Sequence, residues 1–189
     1  MQNASLAFIV GFIAMTLIAS SYFLPKKSLF LGLQACGLGF LVLSYFFTGE
    51  YFAMIGIGVG LARTLTFYRY ESKEKNAPTA LSYLFSFLTV CAYFIVNLGV
   101  LGTAKPLDCI YLVALVVYAF IYRIRDLQTV RLLSLIPTAL CVIYNIWNDG
   151  VVFVVVSYAF ELCANLFSLW KSFSKQKKQI KMQRSKLYE

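Results

Sequence analysis

Seven apolar segments of about 20 residues, separated by short polar stretches, make up most of this chain. A helix of about 20 residues crosses the roughly 30 Å hydrocarbon core of a bilayer, so this pattern is typical of transmembrane helices. Only 13% of the 189 residues are charged, whereas a soluble domain is roughly a quarter charged. The sequence therefore predicts an all-α integral membrane protein rather than a soluble domain with a buried core.

The segments give a prediction of seven transmembrane helices, followed by a polar, basic tail. Their expected ranges are 3–24, 28–48, 51–68, 78–98, 106–122, 129–147 and 151–170. The first segment has no Lys or Arg before its apolar run and no small-x-small cleavage site before Pro25. We therefore interpret it as a retained helix rather than a cleaved signal peptide.

The basic residues predict the orientation of the chain. Of the 17 Lys and Arg residues, only Lys105, in a loop, and Arg63, inside a helix, do not fall on the side that holds the C-terminal tail. Short loops rich in Lys and Arg stay in the cytoplasm. We expect an inner-membrane protein with its N-terminus outside and its C-terminus cytoplasmic. The basic tail is expected to attract anionic lipid headgroups, at about 1 kcal/mol per basic residue, rather than nucleic acid.

Several residue types that enzymes use are missing or scattered. The chain has no His, no G-K-[ST] phosphate loop and five Cys without a C-x-x-C pair. Histidine metal centres, Ser-His-Asp triads and disulfide frameworks are therefore not expected. The sequence predicts neither an enzyme nor a bound cofactor or metal.

An internal repeat is the most informative feature of the spacing. Placing Gly49 on Gly150, a spacing of 101 residues, aligns the first three predicted helices with the last three. The fourth helix then serves as the linker that lets two three-helix units point the same way across the membrane. We expect a 3+1+3 arrangement of parallel repeats, with a first repeat at 1–70, a loop and linker helix at 71–103, a second repeat at 104–171 and the tail at 172–189.

Two short stretches resemble a known family. Ala62-Arg63-Thr64-Leu65 with Arg69, and Tyr144-Asn145-Ile146-Trp147 through Gly150 followed by Asn165 and Trp170, resemble the YgjV-type bacterial inner-membrane proteins. The 3+1+3 plan resembles the PnuC-type vitamin transporters and the SWEET sugar facilitators of the PQ-loop class. The resemblance implies transport. The chain departs from SWEET proteins because its only proline in the sixth segment is Pro137 and it has no Pro-Gln pair.

Polar residues on single helix faces suggest where a solute binds. Ser157, Glu161, Asn165 and Ser168 share one face of the seventh segment, and Ser134, Thr138, Cys141, Asn145 and Asn148 share one face of the sixth. Polar side chains inside a membrane face partner helices or water. We expect Asn145, Glu161 and Asn165 to line one cavity. The full set of candidate substrate-binding residues is Arg63, Thr64, Asn145, Trp147, Ser157, Glu161 and Asn165.

Each candidate also has a structural interpretation. Arg63 and Glu161 could form an ion pair that joins the third and seventh helices, or the Arg63 side chain could extend to the inner membrane surface. Alternatively, the two residues could handle substrate or protons. Trp147 could belong to the interfacial aromatic belt, or it could stack on a flat heterocycle whose edge Asn145 reads. The Ser and Thr residues and Gly56-x-x-x-Gly60 suit close helix packing.

These patterns favour a small secondary transporter or facilitator. We expect it to move a small neutral solute, vitamin-like or nucleoside-like, by rocking of the two three-helix units around a site near the midplane. A sugar facilitator, a trimeric cation channel and a membrane adaptor without a cavity remain alternatives, and the chain could form a homo-oligomer. A cavity in the structure would favour transport over the adaptor.

Overall fold

The computed structural model describes residues 2–49, 51–95, 108–147 and 152–187, and within them all side chains except those of 2–4, 51–53, 152–154 and 175–187. These ranges contain seven α-helices and no β-strand, which confirms the predicted all-α class. The helices are α1 (Gln2–Ser21), α2 (Lys27–Thr48), α3 (Tyr51–Ser72), α4 (Thr79–Phe94), α5 (Asp108–Ile121), α6 (Leu127–Trp147) and α7 (Val152–Leu187). Lys105, Asn148 and Gly150, which the sequence analysis used, lie outside the described residues.

Some helix ends differ from the prediction for local reasons. α6 begins two residues earlier than expected because Asp126 accepts hydrogen bonds from the backbone N–H and the hydroxyl of Thr129, at 2.7 and 2.6 Å. This is an N-cap, and the same bonds hold the pKa of Asp126 below its usual value. α7 continues through the basic tail to Leu187, because the tail has no Pro or Gly and is rich in residues with high helix propensity.

The helices pack mostly against their neighbours in sequence. α2 lies against both α1 and α3, and α6 lies against both α5 and α7. α4 packs against α5 and, less extensively, against α3, while α1 also contacts α7. We call α1–α3 and α5–α7 the two groups of helices; α4 and the contact between α1 and α7 connect them.

Small residues bring α1 and α2 close together. Ala7 and Ala14 of α1 are buried, and the Ser44 hydroxyl of α2 donates to the Ala7 carbonyl at 2.7 Å. A Cβ placed on Gly37 would lie 2.6 Å from the side chain of Ile18 and 3.0 Å from the Ala14 carbonyl. The backbones could not remain this close if residue 37 had a side chain.

The 22–26 and 122–126 turns and Lys27 lie at the same end of the helices. We call this end of the helices the basic end. In the first turn, the Leu24 N–H donates to the Ser21 carbonyl, and the Phe30 N–H donates to the Lys26 carbonyl. The same two bonds recur 100 residues later, from Ile124 to Ile121 and from Val130 to Asp126. The spacing at this turn is thus one residue shorter than the 101 used in the sequence alignment.

A hydrophobic cluster fills the core near the basic end. It contains buried side chains from α1 through α6, namely Tyr22, Phe30, Leu31, Phe67, Phe85, Tyr118, Ala119, Ile121, Tyr122, Leu127 and Val130. Beside it, the Lys27 ammonium pairs with the Glu71 carboxylate at 2.8 Å, which ties the start of α2 to the end of α3. Water is therefore excluded from the centre of this end.

The outer surface of the helices is apolar. Phe8, Phe12, Tyr83, Phe87 and Ile136 are each more than half exposed, and contiguous exposed apolar surface on this scale marks a membrane or protein contact. By length and composition, α2 and α6 are each able to cross a membrane, and the apolar helices over Ser5–Ser21, Thr79–Phe94 and Asp108–Ile121 are shorter.

The close α1–α2 contact gives a test with a matched control. Gly37→Ala is expected to lower the free energy of unfolding by about 1–3 kcal/mol, because the new methyl group meets Ile18 and Ala14. Gly39→Ala, on the same helix, meets nothing within 4 Å and is expected to leave stability unchanged or raise it by up to about 1 kcal/mol. Unfolding of both purified variants in detergent measures the difference; equal effects would contradict the packing.

Candidate functional site

A cavity of about 100 Å³ lies between the two groups of helices. Its walls come from α1 (Met15, Ile18), α2 (Gln34, Leu38, Leu41, Tyr45), α3 (Gly56, Ile57, Gly60, Arg63), α5 (Tyr111, Leu115, Tyr118), the turn after α5 (Tyr122) and α7 (Ser157, Tyr158, Glu161). This space could hold several waters or a small solute, since one water needs roughly 10–15 Å³ on the same measure.

The residues that line the cavity differ between its two ends. At the end away from the basic end they are mostly apolar or aromatic, such as Tyr45, Gly56 and Tyr111. Nearer the basic end they include Gln34 and Tyr122, and Tyr122 is also a member of the hydrophobic cluster. The polar part of the site is therefore set deep in the bundle and bounded by the cluster.

Glu161 of α7 provides the carboxylate in the cavity wall. Glu161 is 9% exposed, and its Oε1 atom accepts a hydrogen bond at 2.5 Å from the hydroxyl of Tyr22, in the turn after α1. The Ser168 hydroxyl of α7 also donates to the Tyr22 carbonyl. These two bonds join the turn after α1 to α7 and orient the carboxylate.

Arg63 of α3 provides the cation. The guanidinium donates through one terminal nitrogen to the Leu115 carbonyl of α5 at 2.9 Å, and its carbon lies 5.7 and 5.3 Å from the ring centroids of Tyr118 and Tyr122. Cations are attracted to aromatic faces at these distances. The Arg63 Nε atom is buried and has no hydrogen-bond partner among the described residues.

The two charges line the same cavity but do not form an ion pair. Of the described residues, only Lys27 and Glu71 lie within ion-pair distance of each other. The interpretation of Arg63 and Glu161 as a pair that joins α3 to α7 is therefore wrong; a tyrosine and a backbone carbonyl hold them separately.

A chain of hydrogen bonds between uncharged side chains lies at the basic end of the cavity. The Tyr122 hydroxyl donates to Gln34 Oε1 at 3.2 Å, and Gln34 Nε2 donates to the Ser21 hydroxyl at 3.1 Å. Sequence reasoning missed Gln34 and Tyr22 as site residues. The sequence did contain a signal for Gln34, because it is the only amide side chain in α2, a helix rich in apolar residues.

The other predicted residues have different surroundings. Ser157 lines the cavity. Thr64 and Asn165 are fully buried in helix contacts: Thr64 bonds to the Gly60 carbonyl, and Asn165 Nδ2 donates to the Arg131 carbonyl of α6, each at 2.8 Å. Asn145 bonds within α6 to the Cys141 carbonyl at 2.7 Å.

Trp147 is 66% exposed at the end of α6. α6 supplies no residue to this cavity, so Asn145, Asn165 and Glu161 do not share it. The polar stripe of α6 is instead packed: the Thr138 and Tyr118 hydroxyls lie 2.5 Å apart in a buried contact.

A second polar cluster surrounds Asp108 at the start of α5. Asp108 is 4% exposed, and its carboxylate accepts hydrogen bonds from Tyr93 and Tyr144, each at 2.8 Å. Tyr144 stacks on Tyr111 of the cavity wall with ring centroids 5.0 Å apart. The cluster thus supports that wall by connecting α4, α5 and α6.

The bond from Tyr22 to Glu161 gives a test of how the carboxylate is held. Tyr22→Phe removes a hydrogen bond to a buried charged group and is expected to lower the free energy of unfolding by about 1–3 kcal/mol. In a Glu161→Gln background the same change is expected to cost less, since no charge is left unpartnered. Tyr83→Phe, at a side chain 63% exposed, is the control. Additive losses in the double variant would show that the two side chains are not coupled.

Comparison with known proteins places the chain in a family. The family described as Imp-YgjV, bacterial inner membrane protein, matches residues 5–176, which span both groups of helices and the whole cavity. No curated protein and no solved structure matches the chain significantly. The chain belongs to the Imp-YgjV family of bacterial inner membrane proteins.

Proposed function

We propose that the protein is a small secondary transporter or facilitator of the bacterial inner membrane, moving a small solute that is neutral overall. The observation that carries this proposal is the cavity between the two helix groups, with one cation and one carboxylate in its wall. A protein that served only as an adaptor would gain nothing from a buried polar cavity, because buried charges cost free energy.

The proposal includes seven membrane-spanning helices in a 3+1+3 arrangement of two parallel repeats. Equivalent positions of the two halves line the cavity, which supports the repeat. Met15 and Ile18 of α1 match Leu115 and Tyr118 of α5 at a spacing of 100 residues. In α3 and α7 the matches are Gly56 with Ser157, Ile57 with Tyr158 and Gly60 with Glu161, at a spacing of 101.

The proposed mechanism is rocking of the two repeats about the cavity. With the N-terminus outside, as the distribution of Lys and Arg favours, the basic end is cytoplasmic. The hydrophobic cluster then forms the closed inner gate. In the alternate state the cluster separates between its α1–α3 and its α5–α6 members, and the cavity opens to the cytoplasm.

Labelling from each side of the membrane tests this mechanism. In a chain whose native cysteines are replaced by alanine, Ser157→Cys places a thiol in the cavity wall. An impermeant maleimide is expected to modify this thiol in right-side-out vesicles and also in inside-out vesicles, because the cavity opens alternately to both sides.

Two control positions calibrate the labelling. Lys26→Cys, at an exposed position of the basic end, is expected to react only in inside-out vesicles. Phe87→Cys, 66% exposed on the apolar surface of α4, is expected to react in neither. If Ser157→Cys reacted from one side only, alternating access would be refuted.

A further inference from the structure

We propose that the cavity is a binding site for a small zwitterion of the amino-acid type, with its anionic group at Arg63 and its cationic group at Glu161. This proposal names a solute class for the proposed function, and it rests on that function for the claim that the solute is transported. It replaces the expectation of a vitamin-like or nucleoside-like solute, which rested on the resemblance to other families and on Asn145 and Trp147 as partners for a flat heterocycle. The inference comes from the charges that the cavity contains and from the partners that they lack.

The charges in the cavity wall balance but do not meet. Among the described lining residues, Arg63 is the only basic side chain and Glu161 the only acidic one. They come from different helices, α3 and α7, and do not pair with each other. The site is therefore neutral overall and carries two separate poles.

Each pole is incompletely satisfied by the protein. A guanidinium has five N–H donors, yet at Arg63 the described acceptors are one carbonyl and two aromatic faces, and the buried Nε atom has none. Glu161 accepts one hydrogen bond, from Tyr22, among the described residues. Burying an ion costs several kcal/mol unless an opposite charge compensates it. A ligand that brings those opposite charges relieves both residues at once.

The same reasoning excludes simpler ligands. An anion compensates Arg63 but is repelled by Glu161, and a cation compensates Glu161 but is repelled by Arg63. An uncharged solute leaves both charges as they are. Only a solute with both groups complements both poles, so a zwitterion is the class favoured by this wall.

The shape of the site fits such a ligand. A Cβ added at Gly60 would have only a terminal nitrogen of Arg63 within 4 Å, at 3.9 Å, so Gly60 leaves open space beside the guanidinium. Arginine binds carboxylates through two parallel hydrogen bonds. An ammonium group suits the opposite pole, where a carboxylate lies beside the Tyr22 hydroxyl. The volume of about 100 Å³ restricts the ligand to a small molecule.

The test uses ligands that differ in charge. Alanine, leucine and tyrosine are each titrated into the purified full-length protein in four forms: free amino acid, amide, N-acetyl derivative and N-acetyl amide. These forms are a zwitterion, a cation, an anion and a neutral molecule; the acetyl group also makes the last two larger, so the variants below separate the effect of charge from that of size. Binding is measured by isothermal titration and by the shift in melting temperature.

At least one free amino acid is expected to bind, and its three capped forms are expected to bind at least tenfold more weakly. Equal binding of the four forms, tighter binding of a capped form, or no binding of any free amino acid would overturn the proposal. This comparison needs only the wild-type chain, so it does not depend on whether a variant folds.

Variants then assign the two poles. Arg63→Gln is expected to remove the preference for the free amino acid over its amide. Glu161→Gln is expected to remove the preference for the free amino acid over its N-acetyl form. Arg69→Gln, at an exposed position of α3, and Glu74→Gln, at an exposed position after α3, are matched controls that are expected to keep both preferences. Loss of both preferences in a control variant would show that net charge, rather than these two residues, selects the ligand.

The result also separates this proposal from the proposed function. Binding of a free amino acid without its uptake into proteoliposomes would keep the zwitterion site and refute transport. Labelling of Ser157→Cys from both sides with tight binding of an uncharged solute would keep transport and refute the zwitterion site.

Discussion

A lipid bilayer offers no hydrogen-bond partner in its hydrocarbon core, and most features of this structure depend on that constraint. Backbone groups must bond within their own segments, and the described chain accordingly consists of helices joined by short turns. Polar side chains turn inward for the same reason. Ser44, Thr64, Ser134 and Thr138 each donate to a backbone carbonyl of their own or a neighbouring helix, and the exposed surface of the helices is mostly apolar.

The cavity wall holds two charges, Arg63 and Glu161, that form no ion pair. Tyrosines make the arrangement possible, because their rings pack like apolar groups while their hydroxyls bond. Tyr22 holds the Glu161 carboxylate, and Tyr118 and Tyr122 offer their ring faces to Arg63. The aromatic groups stabilise each charge without neutralising it, and so keep both available to a ligand.

The predictable part of the fold is the part that depends on composition and periodicity. Apolar length indicated seven helices close to their observed ranges, and the missing Pro and Gly in the tail explain, in retrospect, why α7 continues to Leu187. The start of α6 was placed two residues late because the Asp126 cap depends on a local hydrogen bond that hydropathy does not report. The hydrogen bonds of the 22–26 and 122–126 turns recur at a spacing of 100 residues, one fewer than the sequence alignment used.

The site was predictable only in part, because a helical face does not reveal what it packs against. Arg63, Ser157 and Glu161 were found from polarity inside apolar segments, and all three line the cavity. Asn145 and Asn165 gave the same signal, yet Asn145 bonds within α6 and Asn165 bonds to a carbonyl of α6. Tyr22 was missed because a tyrosine at a helix end resembles an interfacial anchor; only the three-dimensional contact across 139 residues of sequence shows its bond to Glu161.

The central claim is that two three-helix units move relative to each other around a charged cavity. Spin labels at Lys26→Cys and Arg125→Cys, both exposed at the basic end and one in each unit, measure that movement directly by pulsed electron paramagnetic resonance. We expect two distance populations in lipid, with a ratio that shifts when a free amino acid that binds is added. A single narrow distance that no ligand changes would contradict the account.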